Sequence, residues 1–324
     1  MPNLTHRRAV LTMICAAMLW SIAGVVTRQL DSARSFEVTF WRSAFNAVAL
    51  VVLLSAWRGP RPLLNTFVHG GRALWMSGLC WCVMYTAFMV ALTLTTVANV
   101  LVTMALAPLF TAMLARVLLG HRLAPRTWAA IAAAGLGIAW MYGAQFSAGE
   151  SRHVLGTGVA LAVPLAAATN WTLLQHLNRP PTAGRGTALG PTAPQGGEPT
   201  PYDGAADMLS AVLLGALLSA ALTLPLAWPL AASAHDLGWL SLLGVAQLAV
   251  PCLMAVVAAR SLSAPEASLL SLLEVLFGVA WAWLGAGETP ATSVLAGGAL
   301  VLAALAGNEL PTLMRRRAAP VASA

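Results

Sequence analysis

Charge is what this chain has least of. Of 324 residues only 9% are charged and 59% are hydrophobic, a balance far from that of a soluble globular domain and suited to a surface that meets lipid. Lysine is absent, so all 18 basic residues are arginine, against 11 acids. The four cysteines, Cys15, Cys80, Cys82 and Cys252, lie inside apolar runs, and "CWC" sets Cys80 and Cys82 on different sides of a helix. That argues against disulfides and thiolate metal sites and leaves small packing residues. There is no nucleophile elbow, no HExxH zinc pair, no Walker loop and no dinucleotide glycine fingerprint, so the enzyme classes that depend on them are set aside, as is a pump carrying its own ATPase. No cofactor or metal is expected. The net charge of +7 does not point to nucleic acid, because no arginine cluster is interleaved with aromatics on a soluble domain.

What the chain has in abundance is long apolar segments. Ten of spanning length can be drawn, at about 9–30, 37–57, 73–94, 97–119, 126–146, 154–177, 207–230, 238–259, 264–285 and 291–310. With the N-terminus in the cytoplasm, 14 arginines fall on the inner side (Arg7, Arg8, Arg58, Arg61, Arg72, Arg116, Arg122, Arg126, Arg179, Arg185, Arg260 and Arg315 to Arg317) and 3 outside (Arg28, Arg34 and Arg152). The positive-inside rule therefore favours ten spans with both termini cytoplasmic, in a cell (inner) membrane. The first segment follows Arg7 and Arg8 as a signal peptide would, but it is long and lacks a cleavage site, and is expected to be retained. The run "NRPPTAGRGTALGPTAPQGGEPTPYDGAAD" is rich in Pro, Gly and Thr and reads as a flexible cytoplasmic linker.

The linker leaves five segments before the sixth and four after it, and two stretches look alike. "ALAPLFTAMLARVLLGHRL" aligns with "LLEVLFGVAWAWLGAGETP", matching Leu109 to Leu276, Phe110 to Phe277 and Gly120 to Gly287. Repeats with an odd number of spans must cross the membrane in opposite directions, the inverted arrangement of many secondary transporters. The expected organisation is 1–178 for the first five-helix repeat plus the first helix of the second, 179–206 for the linker, 207–310 for the rest of the second repeat and 311–324 for a basic cytoplasmic tail.

"AAMLWSIAGVVTRQL", "VTFWRSAFNAVAL", "ALTLTTVANVLVTMALAPLFTAMLARVLLGHRL" and, in the second half, "SLSAPEASLLSLLEVLFGVAWAWLGAGE" resemble the EamA-type transporters of the drug/metabolite transporter superfamily. The resemblance implies an all-α integral membrane protein of ten transmembrane helices in two inverted five-helix repeats, exporting amino acids, metabolites or drugs. Two positions depart from the family's pattern. His121 stands where an acid is common, although its counterpart Glu288 is present, and Val275 replaces the proline that commonly follows the ninth helix's glutamate.

Glu274 is the residue that most needs explaining. An ionised carboxylate at a helix centre costs about 2.5 to 3.5 kcal/mol or more, so it must be paired, protonated or wetted. Ser271, Gly278 and Trp281 share its helical face and suggest a cavity wall. It is read as a substrate or proton site, with a structural ion pair or hydrogen bond as the alternative. Arg42 is a candidate charge clamp, or a snorkelling cation near the outer end of its helix. Trp20, Tyr85, Asn99, Asn170, Trp171 and Gln247 are further candidate lining residues, each balanced against plain helix packing. The close-packing glycines are expected at Gly135, Gly137, Gly297 and Gly298. The function expected is secondary active transport by alternating access, with an uncoupled permease, a membrane-embedded enzyme or a scaffold as alternatives. The expected partners are a small-molecule substrate and membrane lipid, not nucleic acid, with homodimerisation left open.

Overall fold

The computed structural model describes residues 4–33, 35–119, 125–147, 151–177, 204–259, 261–262, 270–271 and 273–318. The linker 179–206 therefore lies largely outside the described residues, as do His121 and the last six residues of the tail. The helices are α1 (His6–Ser21), α2 (Ala23–Thr27), α3 (Ser35–Arg58), α4 (Pro60–His69), α5 (Arg72–Leu94), α6 (Val97–Met104), α7 (Ala107–Leu119), α8 (Pro125–Ser147), α9 (Ser151–Ala160), α10 (Ala162–Leu177), α11 (Gly204–Ala227), α12 (Ala234–Leu242), a π-helical turn (Leu243–Ala249), α13 (Val250–Ala259), α14 (Leu273–Ala286) and α15 (Thr292–Ala318).

Seven stretches among the described residues are long and apolar enough to span a membrane: His6–Thr27, Phe36–Trp57, Arg72–Leu94, Val97–Leu114, Arg152–Asn170, Leu209–Ala227 and Ala234–Ala255. Shorter apolar helices, Trp128–Gly137, Leu273–Ala286 and Thr292–Ala304, fall within the other three segments drawn from the sequence. Proline sets several of the breaks. Pro108 and Pro164 lack an N–H and crowd the carbonyl four residues earlier, and the chain turns at Ala105–Leu106 and Leu161 respectively. Pro251 would leave the Gln247 carbonyl without its helical donor; the wider π turn precedes it, with the Val250 N–H donating to the Val245 carbonyl. The amphipathic helix α4 was not foreseen. Gly59 turns with φ 85°, Pro60 pre-sets the first helical turn, and Leu63 is buried while Leu64 and Val68 are exposed.

α3 shows the membrane pattern most plainly. Thr39, Arg42, Ser43 and Asn46 follow one another at helical spacing and are all buried, whereas Val48, Val51 and Val52 face outward. Its polar face is inside and its apolar face is outside, as lipid solvation demands. α11 packs against both α5 and α3, α15 against α8, α9 and α10 against α5, α10 against α7, α1 against α13 and α14, α14 against α6, and α3 against the π turn. Gly215 makes the α11–α5 approach possible, since a Cβ there would sit 2.3 Å from Trp81 Cβ and 3.0 Å from the Gly78 carbonyl. Of the glycines expected at packing seams, Gly137 abuts the Gly297 carbonyl and Gly298 abuts Val102, while Gly135 faces open space.

The connections after α2, α5, α11 and α14 lie at one face and are tied together. The Glu37 carboxylate accepts the N–H groups of Ala231 (2.8 Å) and Ala232 (2.7 Å). Asp236 accepts those of Asp31, Ser32, Ala33 and Ser233, together with the Ser32 hydroxyl. Glu288 accepts the Val97 N–H and pairs with Arg28 at 3.2 Å. Each carboxylate thus joins connections distant in sequence, and charge-assisted bonds of this kind are about twice as strong as neutral ones.

Candidate functional site

Arg42 is the largest of the fully buried side chains, 2% exposed and far from any snorkelling position. Its Nε and Nη2 both donate to Gln247 Oε1, at 3.1 and 2.9 Å, and Gln247 Nε2 donates to the Trp20 carbonyl at 3.0 Å. The Phe88 ring lies under the guanidinium, 5.5 Å from centroid to Cζ, a favourable place for a cation. The π turn helps present Gln247 to Arg42. Within it, Gly244 lets the turn press against α3, where a Cβ would come 2.8 Å from the Arg42 carbonyl and 2.9 Å from the Asn46 nitrogen.

Around this clamp stand polar atoms with unused bonding capacity. Among the described residues, Arg42 Nη1, both amide atoms of Asn46 and the Tyr85 hydroxyl are buried and make no hydrogen bond of good geometry, although Tyr85 and Asn46 face each other. Tyr85 lies beside Asn46 and Cys252. Glu274, partly buried in the first turn of α14, is close enough to act on the Arg42 charge, yet the two form no ion pair. Buried polar groups nearly always find partners in native proteins. A group of four without them, in an apolar bundle beside an unpaired Arg–Glu couple, is suited to receiving a polar or charged ligand.

The sequence candidates separate into two sets. Arg42, Gln247, Tyr85, Glu274 and the Trp20 backbone come together, drawn from α1, α3, α5, the π turn and α14. Asn99 is buried elsewhere in α6, donating to Thr95 Oγ1 at 2.8 Å. Asn170 accepts from Ser77 at 2.6 Å in the α5–α10 seam. The Trp171 side chain lies outside the described residues. Trp281 is 37% exposed, and the strip expected to line a cavity is at Gly278 a packing seam, where a Cβ would sit 2.3 Å from Leu101 Cδ1. Sequence reasoning missed Asn46 and Cys252, and also the hydroxyls of buried Ser43 and Ser219 and half-buried Thr86, which join at 2.9 and 3.0 Å. The spacing of Asn46 from Arg42 was a legible signal.

Residues 7–143 match the model of the EamA-like transporter family. Over that stretch, less than half of its length, the chain is similar to the EamA-like transporters of the drug/metabolite transporter superfamily. Together with the apolar helices, the match makes this a multi-pass membrane protein. No curated protein matches the chain. A solved crystal structure described only as that of a protein aligns over 97% of this chain and 99% of its own, with a TM-score of 0.61 and 18% identity. At that identity the likeness speaks for the fold alone, which is shared over nearly the whole chain.

Proposed function

We propose that this protein is an EamA-type secondary transporter that exports small metabolites such as amino acids by alternating access, with Glu274 coupling transport to protons. The observation that carries the reading is the buried Arg42–Gln247 clamp facing Glu274 among unpartnered polar atoms. A carboxylate on the substrate would complete the bonding of Arg42 and Asn46, and an amine or a proton would neutralise Glu274.

Ten spans in two inverted halves is part of the proposal, and the packing supports it. Numbering the spans in chain order and moving each by five positions carries the contact of α5 with α9 and α10 onto that of α13 with α1. The same move carries α11–α5 onto the α3–π turn contact, and α7–α10 onto α14–α1. The pairs α3–α11, α8–α15 and α6–α14 map onto themselves. A two-fold relation between halves has this signature. The clamp then draws its residues from both halves, as a site between rocking halves requires. The face of Arg28, Glu37, Asp236 and Glu288 is assigned outside and both termini inside, in accord with the arginine count.

The test is substrate-driven proton movement in proteoliposomes, screening amino acids and small ionic metabolites, with wild type beside Glu274→Gln. Proton-coupled flux in the wild type that disappears in the variant, at equal insertion, supports the reading. Equal substrate flux without protons in both would make the protein an uncoupled permease and Glu274 a structural residue.

A further inference from the structure

A second polar constellation lies apart from the central clamp. At the face assigned outside, a cleft of about 200 Å³ opens between the end of α5, the start of α6 and the start of α9, lined by Arg28, Thr96, Arg152 and His153 among others. We infer that this cleft binds a small oxyanion, a carboxylate or a phosphate group, between the guanidinium groups of Arg28 and Arg152.

Arg28 is held in place before any ligand arrives. Its Nε donates to Glu288 Oε2 at 3.2 Å, Nη1 to the Leu92 carbonyl at 2.8 Å and Nη2 to the Thr95 carbonyl at 3.0 Å. Three bonds fix the fork, and each terminal nitrogen keeps one further N–H, the arrangement that suits bidentate recognition of an oxyanion. Arg152 is anchored by one bond, from Nη2 to the Thr93 carbonyl at 3.0 Å, and retains its other donors. His153 Nδ1 lies 3.2 Å from Thr95 Oγ1, leaving Nε2 available. Thr96 Oγ1 accepts the Asn99 N–H, so its own hydroxyl proton is free to donate.

The charge balance favours an anion. Among the described residues Glu288 is the carboxylate at this site, and both its oxygens are engaged, one by the Val97 N–H and one by Arg28. Among those residues, two guanidinium groups against one occupied carboxylate leave a net positive charge at the mouth. The volume equals the liquid share of about six or seven waters, enough for a phosphate or a short carboxylate with part of its hydration. The same chemistry could be supplied by a dissolved anion or by the phosphate of an anionic lipid headgroup.

The experiment is equilibrium binding of radiolabelled inorganic phosphate to the full-length protein in nanodiscs, with acetate as competitor. In phosphatidylcholine discs, wild type is expected to bind saturably and Arg152→Gln and Arg28→Gln about tenfold more weakly, the loss of one charge-assisted contact. Arg72→Gln, at the opposite end of α5, is expected to bind as wild type does. Arg28→Gln also loses structural bonds, so the exposed Arg152 is the decisive position. In phosphatidylglycerol discs, unchanged phosphate binding assigns the cleft to a dissolved anion, and suppressed binding assigns it to a headgroup. No saturable binding by wild type in phosphatidylcholine, equal binding by Arg152→Gln, or binding that disappears in Arg42→Gln instead, would overturn the inference.

Discussion

Replacing Gln247 by Leu tests the clamp at its centre. Leucine is close to glutamine in volume, so the substitution leaves little cavity and removes chiefly polar bonds. Lost are two bonds from the Arg42 guanidinium to Oε1, at 3.1 and 2.9 Å, and one from Nε2 to the Trp20 carbonyl, at 3.0 Å. A hydrogen bond to a charged group contributes about 1.5 to 3 kcal/mol, but the two here share one acceptor and count as little more than one. Adding about 1 kcal/mol for the neutral bond gives an expected loss of about 3 to 4 kcal/mol. The loss approaches the cost of breaking a buried charge pair because, among the described residues, the Arg42 guanidinium donates to Gln247 alone and its Nη1 has no partner. Reversible unfolding in mixed micelles would measure it, in a double-mutant cycle with Arg42→Met. Removing the charge as well as its acceptor should recover much of the loss, because the penalty comes from a stranded cation. A cost below about 1 kcal/mol for Gln247→Leu, or strict additivity in the cycle, would refute the claim that Gln247 holds Arg42.

Further tests address the neighbours of the clamp and the tied face. Gly244→Ala should disable transport more than it lowers expression, since its Cβ would meet the α3 backbone at 2.8 and 2.9 Å and force the π turn away from Arg42; wild-type flux would show that the approach is not needed. Asp236→Ala should cost about 2 to 4 kcal/mol of stability by stranding several N–H groups that its carboxylate accepts, measured by unfolding in micelles. Glu37→Ala should cost less, about 1 to 3 kcal/mol, because the N–H groups of Ala231 and Ala232 are bonded through a single oxygen. Deleting residues 179–206 should leave insertion and flux intact; normal insertion with lost flux would show that the linker takes part in transport.

Much of the architecture could be read directly from the chain, because lipid imposes one requirement on every span. An apolar run of about 20 residues has few alternatives to a membrane helix. The breaks before Pro108 and Pro164 follow from the missing N–H of proline, and the buried series Thr39, Arg42, Ser43 and Asn46 was written at helical spacing. α4 escaped notice because a ten-residue helix with prolines at both its first and third positions resembles a loop by composition. The Glu274 face was misread for a different reason. Spacing determines that Gly278 and Trp281 share that face, but not that Leu101 presses against the first while the second turns outward.

The sequence by itself determined a multi-span helical membrane protein, its relation to the EamA family, and the presence of a few polar groups too costly to leave unexplained. These follow from local composition, period and transfer energy, which act residue by residue. Only the tertiary structure decided which of those groups meet. Arg42 and Gln247 lie 205 positions apart, and Arg28 and Glu288 lie 260 apart. No local preference couples residues at such separations; close packing of the helices does, through the crossing of α3 with the π turn and the gathering of the connections at one face.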